Sequence, residues 1–143
     1  MGVVCFGEAR REFQRILKTD GWLVLLWNER VDTGTPFLEA YERLLEPYGT
    51  DYRDVRKKNN EDPERPANFF GAAGCGVRKF ANEQHFNFEG LKGRLLSASY
   101  APGPTHHDHK PMLEELNKIF LQHAVSNSVT MSYETTLYCG HLT

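Results

Sequence analysis

Six consecutive apolar residues, Trp22 to Trp27, constrain the fold of this chain more than any other feature. A strand with one solvent-facing side would alternate apolar and polar residues, so this run predicts a central strand of a parallel sheet that is covered on both faces. A central strand needs a neighbour on each side. Too few residues precede the run to form a βαβ unit of roughly 30 residues. We therefore expect one neighbouring strand to be missing or to come from another molecule.

The composition is that of one globular domain. The chain has 143 residues, of which 40% are apolar and 25% are charged, and roughly 100 to 200 residues are typical of a single domain. A net charge of −2 provides no basic field, so we expect no nucleic-acid partner. No apolar run approaches the roughly 20 residues that span a bilayer, and the N-terminus has no signal-peptide pattern. We expect a cytoplasmic protein that does not contact membranes, with Cys5, Cys75 and Cys139 as free thiols.

Apolar periodicity predicts three helices. The first has an apolar stripe and ends at Asp20-Gly21, where glycine can adopt the left-handed conformation. The second begins with Thr35 as N-cap and Pro36 in the first turn, and the third begins at Pro111. The stripe of the first helix consists of Ala9, Phe13, Ile16 and Leu17.

Two further strands are predicted after the second helix. One lies around Phe80 to Phe88, and the other is the C-terminal segment 129–139, whose strict alternation indicates one buried face. Between them, Leu91 to Tyr100 is compatible with either a helix or a loop. Residues 51–67 carry five basic and five acidic side chains, so we expect an exposed charged loop there, with a lid as the alternative.

Several segments resemble one enzyme family. The segments Glu12–Lys18, Gly21–Arg30 and Pro36–Leu45 resemble the second half of class I S-adenosylmethionine-dependent methyltransferases of the small-molecule, type 11 group. Gly90–Pro102 and Tyr133–Tyr138 are similar to the C-terminal part of the same group. The resemblance covers nearly the whole chain, so residues 1–143 are expected to form one domain that corresponds to the C-terminal half of a methyltransferase domain.

The resemblance implies an α/β fold, namely a partial Rossmann-like methyltransferase fold. The first helix and Trp22 to Trp27 would correspond to the fourth helix and fifth strand of a seven-stranded sheet. The remaining strands would be its last two, including the antiparallel one. We expect a short mixed sheet of about three strands with flanking helices.

The resemblance also implies what the chain lacks. The family binds S-adenosylmethionine through a glycine-rich turn after its first strand and an acidic residue after its second, and neither motif is found here. The segment Val3–Gly7 also departs from the family, because only Phe6 fits its aromatic-rich stretch. We therefore expect no cofactor-binding residue, weak or no binding of S-adenosylmethionine, and no activity of the isolated chain. The catalytic residues are unknown.

Substrate-binding candidates come from two places. Trp27 and Asn28 lie at the carboxyl end of the apolar strand, where open α/β sheets bind ligands. The resemblance places the substrate pocket beside that rim and beside Ser97, Ser99 and Tyr100. The structural interpretation, in which Asn28 caps a turn and Tyr100 packs on the core, is favoured over a ligand role because turn Asn and buried Tyr are common. Methyl transfer needs positioning more than acid–base chemistry, so the lack of a catalytic triad does not argue against it.

Two other motifs contain residue types that can form binding sites. The glycine-rich segment 71–76 has the order G-x-x-G-x-G and precedes a predicted strand, which favours a turn over a cofactor loop. His106, His107 and His109 are weak candidates for metal ligands, because near-adjacent residues on one loop rarely converge on one ion. A polar loop leading into a helix is the favoured interpretation, and no metal is expected.

Two functional hypotheses follow. In the first, the chain is a methyltransferase-like protein whose acceptor is a small molecule and which needs a complementing chain. In the second, it is a non-catalytic association module that dimerises or pairs with a partner through the exposed edge of Trp22 to Trp27, because unpaired strand edges promote such pairing.

Overall fold

The fold is a mixed α/β arrangement in which helices flank one three-stranded antiparallel sheet. It is seen in a computed structural model that describes residues 6–54, 56 and 65–142. The helices are α1 (Phe6–Ile16), α2 (Pro36–Tyr48), the short α3 (Arg65–Asn68), α4 (Phe88–Leu96) and α5 (His109–His123), and the strands are β1 (Trp22–Arg30), β2 (Gly76–Phe86) and β3 (Val129–His141).

The C-terminal strand lies in the middle of the sheet. The strand order is β1-β3-β2, and β3 is antiparallel to both neighbours. Strands β1 and β2 therefore run parallel to each other on either side of it. In the register, Leu137 of β3 is opposite Leu26 of β1 and Arg78 of β2. The prediction of about three strands with flanking helices is confirmed, whereas the expected mixed sheet is antiparallel throughout.

In the described part of the chain β1 lacks one neighbouring strand, as expected, but the prediction that both faces of this strand are covered is wrong for this chain. β1 lies at an edge of the sheet and pairs with an antiparallel strand. Only Leu23 of the apolar run is fully buried, whereas Trp22 and Leu26 are 64% and 62% exposed. The run is apolar without being buried on both faces, because helices cover only part of each face of the sheet.

The main core lies between one face of the sheet and three helices. Val129, Met131 and Tyr133 of β3 point toward α2, α4 and α5 and are at most 4% exposed. The helices contribute Leu38 and Leu45 from α2, Leu91 and Leu95 from α4, and Met112 and Leu116 from α5.

A smaller core lies on the opposite face of the sheet. There Leu23 of β1 packs with Phe69 and Phe70, and Phe13 and Leu17 from the region of α1 cover them. Ala9 also packs on this cluster, but Ile16 is 54% exposed, so three of the four residues in the predicted stripe face the sheet.

The buried side chains of β3 therefore lie on one face of the sheet in the first half of the strand and on the other face in the second half. Val129, Met131 and Tyr133 are buried on the face of the main core, whereas Thr136 and Gly140 are buried on the other face. The predicted strand with a single buried face is therefore correct only for its first half. The alternating sequence cannot show this change, because it depends on where the helices pack.

Several local boundaries differ from the predictions. The cap of α2 is confirmed, since the Thr35 hydroxyl accepts a hydrogen bond from the Leu38 amide at 3.2 Å. The second strand ends at Phe86 instead of Phe88, because Asn87 caps α4 through the Gly90 amide at 2.9 Å. The ambiguous segment is therefore helical up to Leu96. At the end of α1, Asp20 and not glycine adopts positive φ, at 60°.

The charged segment 51–67 is described only in part. Tyr52 is 7% exposed and belongs to the main core, and Arg56 forms ion pairs with Asp32 and Glu42. Residues 55 and 57–64 lie outside the described residues, as do Cys5 and most of Val3–Gly7. Among the described helices, none combines the length and apolar character needed to cross a membrane.

Candidate association surface and adjoining polar cluster

The outer edge of β1 has no strand partner in the described part of the chain. All nine residues of β1 pair with β3 along the inner edge, and β2 lies on the far side of β3. The outer edge therefore presents backbone N–H and C=O groups along a nine-residue strand. Such an edge can accept a further strand.

An uncovered apolar surface continues from this edge across the sheet. Trp22, Val24 and Leu26 alternate on one face of β1 and are all exposed, and the register places Cys139 and Leu137 of β3 beside Val24 and Leu26. Phe80 of β2, 53% exposed, lies on the same face. We call this surface the open apolar face, and it consists of Trp22, Val24, Leu26, Phe80, Leu137 and Cys139.

The open apolar face is the uncovered half of the face that carries the main core. Helices α2, α4 and α5 pack only over the half that contains Val129, Met131 and Tyr133. A shallow depression of about 460 Å³ opens near the other end, and its lining includes Trp22, Arg78 and Cys139. Trp22 packs on His141 there, with ring centroids 4.1 Å apart.

A polar cluster joins the carboxyl end of β1 to α2. Arg30 Nη2 donates to Glu42 Oε2 at 2.5 Å and to the Tyr52 hydroxyl at 3.1 Å. The Tyr52 hydroxyl donates in turn to Glu42 Oε1 at 2.6 Å. The Arg30 guanidinium also lies over the Tyr41 ring, 5.1 Å from its centroid, in a cation–π contact. Together these contacts fix β1 against the main core.

The electrostatics of this cluster keep its tyrosines neutral. Burial raises the pKa of Tyr41 and of Tyr52 well above the ordinary tyrosine value, and the hydrogen bond to Glu42 raises that of Tyr52 further. Arg30 Nη1 is buried and has no hydrogen-bond partner among the described residues. At neutral pH neither tyrosine can serve as a general base, so the cluster is suited to holding structure and orienting polar groups.

The side chains of Trp27 and Asn28 lie on opposite faces of the sheet. The Trp27 ring meets Tyr138 edge-on, with centroids 5.7 Å apart. On the other face, Asn28 Oδ1 accepts hydrogen bonds from Thr135 Oγ1 at 2.8 Å and from Asn82 Nδ2 at 3.4 Å. Asn28 thus links all three strands instead of capping a turn. The two candidates do not converge on one ligand position.

The other three candidates follow α4. Ser97 ends the helix, and its hydroxyl donates to the Arg94 carbonyl at 2.8 Å, while Ser99 is exposed. Tyr100 is half-buried against the main core, with its ring 4.9 Å from that of Tyr52. Of the predicted substrate-binding residues, only Tyr100 reaches the polar cluster.

Sequence reasoning missed the ion pair at the centre of this cluster. Glu42 lies four residues after Leu38 and three before Leu45, so the helical spacing places it on the buried face of α2. A carboxylate on an apolar helical face signals a buried partner. Arg30 is the last residue of β1. It becomes the partner of Glu42 only when β1 and α2 pack against each other.

A separate histidine cluster precedes α5. One ligand atom from each of His106, His107 and Asp108 lies within 4.8 Å of the other two. His109, which the sequence grouped with the first two, bonds instead through Nδ1 to the Pro102 carbonyl oxygen at 2.9 Å. The glycine-rich segment forms a short 3-10 helix, Gly71–Ala73, before β2 and does not lead into a helix N-terminus.

Comparison with known proteins adds no assignment. No model of a known protein family matches this chain, and no curated protein matches it either. The sheet edge, the open apolar face and the polar cluster are therefore the features that bear on function.

Proposed function

We propose that this chain is a methyltransferase-like α/β module that acts on small molecules only in association with further strands, which join the sheet at the outer edge of β1. Its fold would be a partial Rossmann-like methyltransferase fold. The observation that carries the proposal is the free edge of β1 beside the open apolar face.

The direction of the strands supports the methyltransferase part of the proposal. The family resemblance implies a fifth strand and two last strands, one of them antiparallel. In this chain β3 is antiparallel to both β1 and β2, which run parallel to each other. The strand that the resemblance equates with the fifth strand, β1, has its free edge on the side away from β3, where further parallel strands would join.

The exposed side chains support the association part. Trp22 and Leu26 are 64% and 62% exposed on a strand whose outer edge is unpaired in the described structure. Adjacent apolar side chains on a free strand edge favour association, because pairing buries them and satisfies the backbone groups together. A segment that adds strands and a covering helix would do both.

Candidate substrate contacts remain part of this proposal. Trp27, Asn28, Ser97, Ser99 and Tyr100 would border the acceptor site, with Tyr100 nearest to the polar cluster. The glycine-rich cofactor turn would come from the added strands, so S-adenosylmethionine is the expected cofactor of the assembly. We place the assembly in the cytoplasm, in agreement with Cys75 and Cys139 being free thiols.

Isothermal titration tests this proposal. Titration of the chain with millimolar S-adenosylmethionine should give no stoichiometric binding, because none of the described residues forms the glycine-rich turn that the family uses. One bound equivalent would contradict the proposal. S-adenosylhomocysteine, which keeps the nucleoside and amino-acid groups, is a suitable second ligand and should likewise fail to bind.

The second candidate function is a non-catalytic association module that forms a homodimer. The same edge of β1 favours it, because two copies of an exposed strand can pair about a twofold axis. Light scattering after size-exclusion chromatography tests this second candidate. It predicts a homodimer at micromolar concentration, and a stable monomer would contradict it.

A matched pair of variants locates the association surface. Leu26→Lys places a charge on the open apolar face and should shift a dimer toward monomer. Leu121→Lys, on an α5 residue that is 70% exposed, should leave the oligomeric state unchanged. Equal behaviour of the two variants would argue against the open apolar face as the contact.

A further inference from the structure

We propose that His106, His107 and Asp108 form a binding site for a divalent transition-metal ion, with Zn²⁺ as its occupant. The site lies on the loop that leads into α5 and is separate from the open apolar face. Its three side chains supply two imidazole nitrogens and one carboxylate oxygen, which are ligands that Zn²⁺ accepts.

The donor atoms already face one another. His107 Nε2 lies 3.3 Å from Asp108 Oδ2, and His106 Nδ1 lies 3.8 Å from the same oxygen. Bond lengths of about 2.0 to 2.1 Å in a tetrahedral zinc site separate neighbouring ligand atoms by roughly 3.3 Å. Small side-chain rotations would therefore bring all three atoms onto one ion.

The two imidazoles are held side by side. Their centroids lie 4.4 Å apart and the planes are inclined by 24°. The Asp108 amide donates to His106 Nδ1 at 3.2 Å, so an ion bound at that nitrogen would replace this hydrogen bond. Adjacent residues rarely point their side chains in one direction, so this stacking is what makes a shared ion feasible.

The backbone of the loop is fixed by hydrogen bonds on both sides of the cluster. The His106 amide donates to the Gly103 carbonyl at 2.9 Å, and the His109 amide donates to the His106 carbonyl at 3.1 Å. The bond from His109 Nδ1 to the Pro102 carbonyl anchors the same turn. A pre-formed loop lowers the entropy that is lost when an ion binds.

The Asp108 carboxylate is directed at the two imidazoles and not at the start of α5. Asp108 occupies the N-cap position of α5 but makes no side-chain cap hydrogen bond. Its side chain is 33% exposed, and that of His107 is 82% exposed, so an ion would keep at least one position for water. Three ligands from one exposed loop predict micromolar rather than nanomolar affinity.

Titration of the full chain with ZnCl₂ alone tests the site. We expect one equivalent of Zn²⁺ to bind the unmodified protein. His107→Ala and Asp108→Asn should each raise the dissociation constant at least about tenfold, which corresponds to 1.4 kcal/mol. Co²⁺ should show visible absorption bands of a low-coordinate site, and these should disappear in the same variants.

Matched controls make the outcome specific. His85→Ala removes an exposed histidine whose Nδ1 lies 3.0 Å from Thr130 Oγ1, far along the chain from the site, and it should leave Zn²⁺ affinity unchanged. Cys139→Ser should also leave it unchanged. Circular dichroism checks that every variant is folded, which is expected because the three ligand side chains lie at the surface.

Three results would overturn the assignment. They are the lack of saturable Zn²⁺ binding by the unmodified chain, an unchanged affinity in folded His107→Ala, and an equal loss in Cys139→Ser. None of them depends on whether the chain associates or binds S-adenosylmethionine, so the metal site and the proposed function fail separately.

Discussion

Arg30 and Glu42 form an ion pair, with Nη2 and Oε2 2.5 Å apart, that ties the last residue of β1 to the middle of α2. The two side chains are only 12% and 13% exposed. The pair anchors the strand whose outer edge is free. Removal of one partner leaves the other charge buried without compensation, which destabilises a protein more than the intact pair stabilises it.

Glu42→Ala should therefore lower the free energy of unfolding by about 3 kcal/mol, since Arg30 and Tyr52 both lose their acceptor. Chemical denaturation followed by tryptophan fluorescence measures it. The control is Glu46→Ala, an exposed acidic residue of the same helix, which should change stability by less than about 0.5 kcal/mol. Similar losses in the two variants would contradict a special role for the ion pair.

Stability should fall at alkaline pH because of Tyr41. Burial raises its pKa in the folded state above the ordinary value of 10.0, so the folded state keeps a proton that the unfolded state releases. This contribution is fully present below pH 10 and is lost as the pH rises above it, by about 1.4 kcal/mol per pH unit.

Tyr41→Phe should reduce that alkaline loss. Denaturation midpoints measured from pH 8 to pH 11 should diverge only above about pH 10, where the variant has the flatter profile. Tyr52, whose folded-state pKa is also raised by burial, retains its own contribution in this variant. Identical profiles for the unmodified protein and Tyr41→Phe would contradict the prediction.

Two leucines of α5 provide a test of the main core. Leu116 is completely buried and Leu121 is 70% exposed. Leu116→Ala should cost about 3 kcal/mol, because it removes packed atoms and leaves a cavity. Leu121→Ala should stay within about 0.5 kcal/mol of the unmodified protein. The difference between the two denaturation midpoints measures the packing of α5, and a difference near zero would contradict it.

Gly140 has no room for a side chain. A Cβ atom there would lie 2.9 Å from the Gly74 carbonyl oxygen and 3.0 Å from Phe70 Cδ1. Gly140→Ala should therefore destabilise the protein by about 2 kcal/mol through overpacking. Gly93→Ala is the matched control, because a Cβ in the middle of α4 meets nothing within 4 Å. It should stabilise the protein by about 0.5 kcal/mol, and thermal unfolding of both variants checks the opposite signs.

Features that depend on neighbours in the chain were predictable. The Thr35 cap followed by Pro36 placed the start of α2, and the spacing of Ala9, Phe13 and Leu17 identified the sheet-facing side of α1. Capping needs only the next few residues, and helical periodicity needs only the spacing of one segment. The strand character of β1 and β3 followed from their own residues for the same reason.

The pairing of β1 was decided by tertiary structure. An apolar run specifies a strand, but it does not specify which strand pairs with it or whether both faces are covered. β3, about a hundred residues later, pairs with one edge of β1, and α1 covers only the face that carries Leu23. Trp22 and Leu26 are therefore exposed to solvent. The prediction of a strand that is buried on both faces is wrong for this chain.

The polar cluster and the histidine cluster were likewise predictable only in part. The sequence by itself determined which residues can carry charge or bind an ion, and the spacing of Glu42 on α2 even marks it as inward-facing. Only the tertiary structure brought Arg30 to Glu42 and turned His109 away from His106. Local chemistry is encoded by neighbouring residues, whereas a partner twelve or a hundred residues away is fixed by the packing that lowers the free energy of the whole fold.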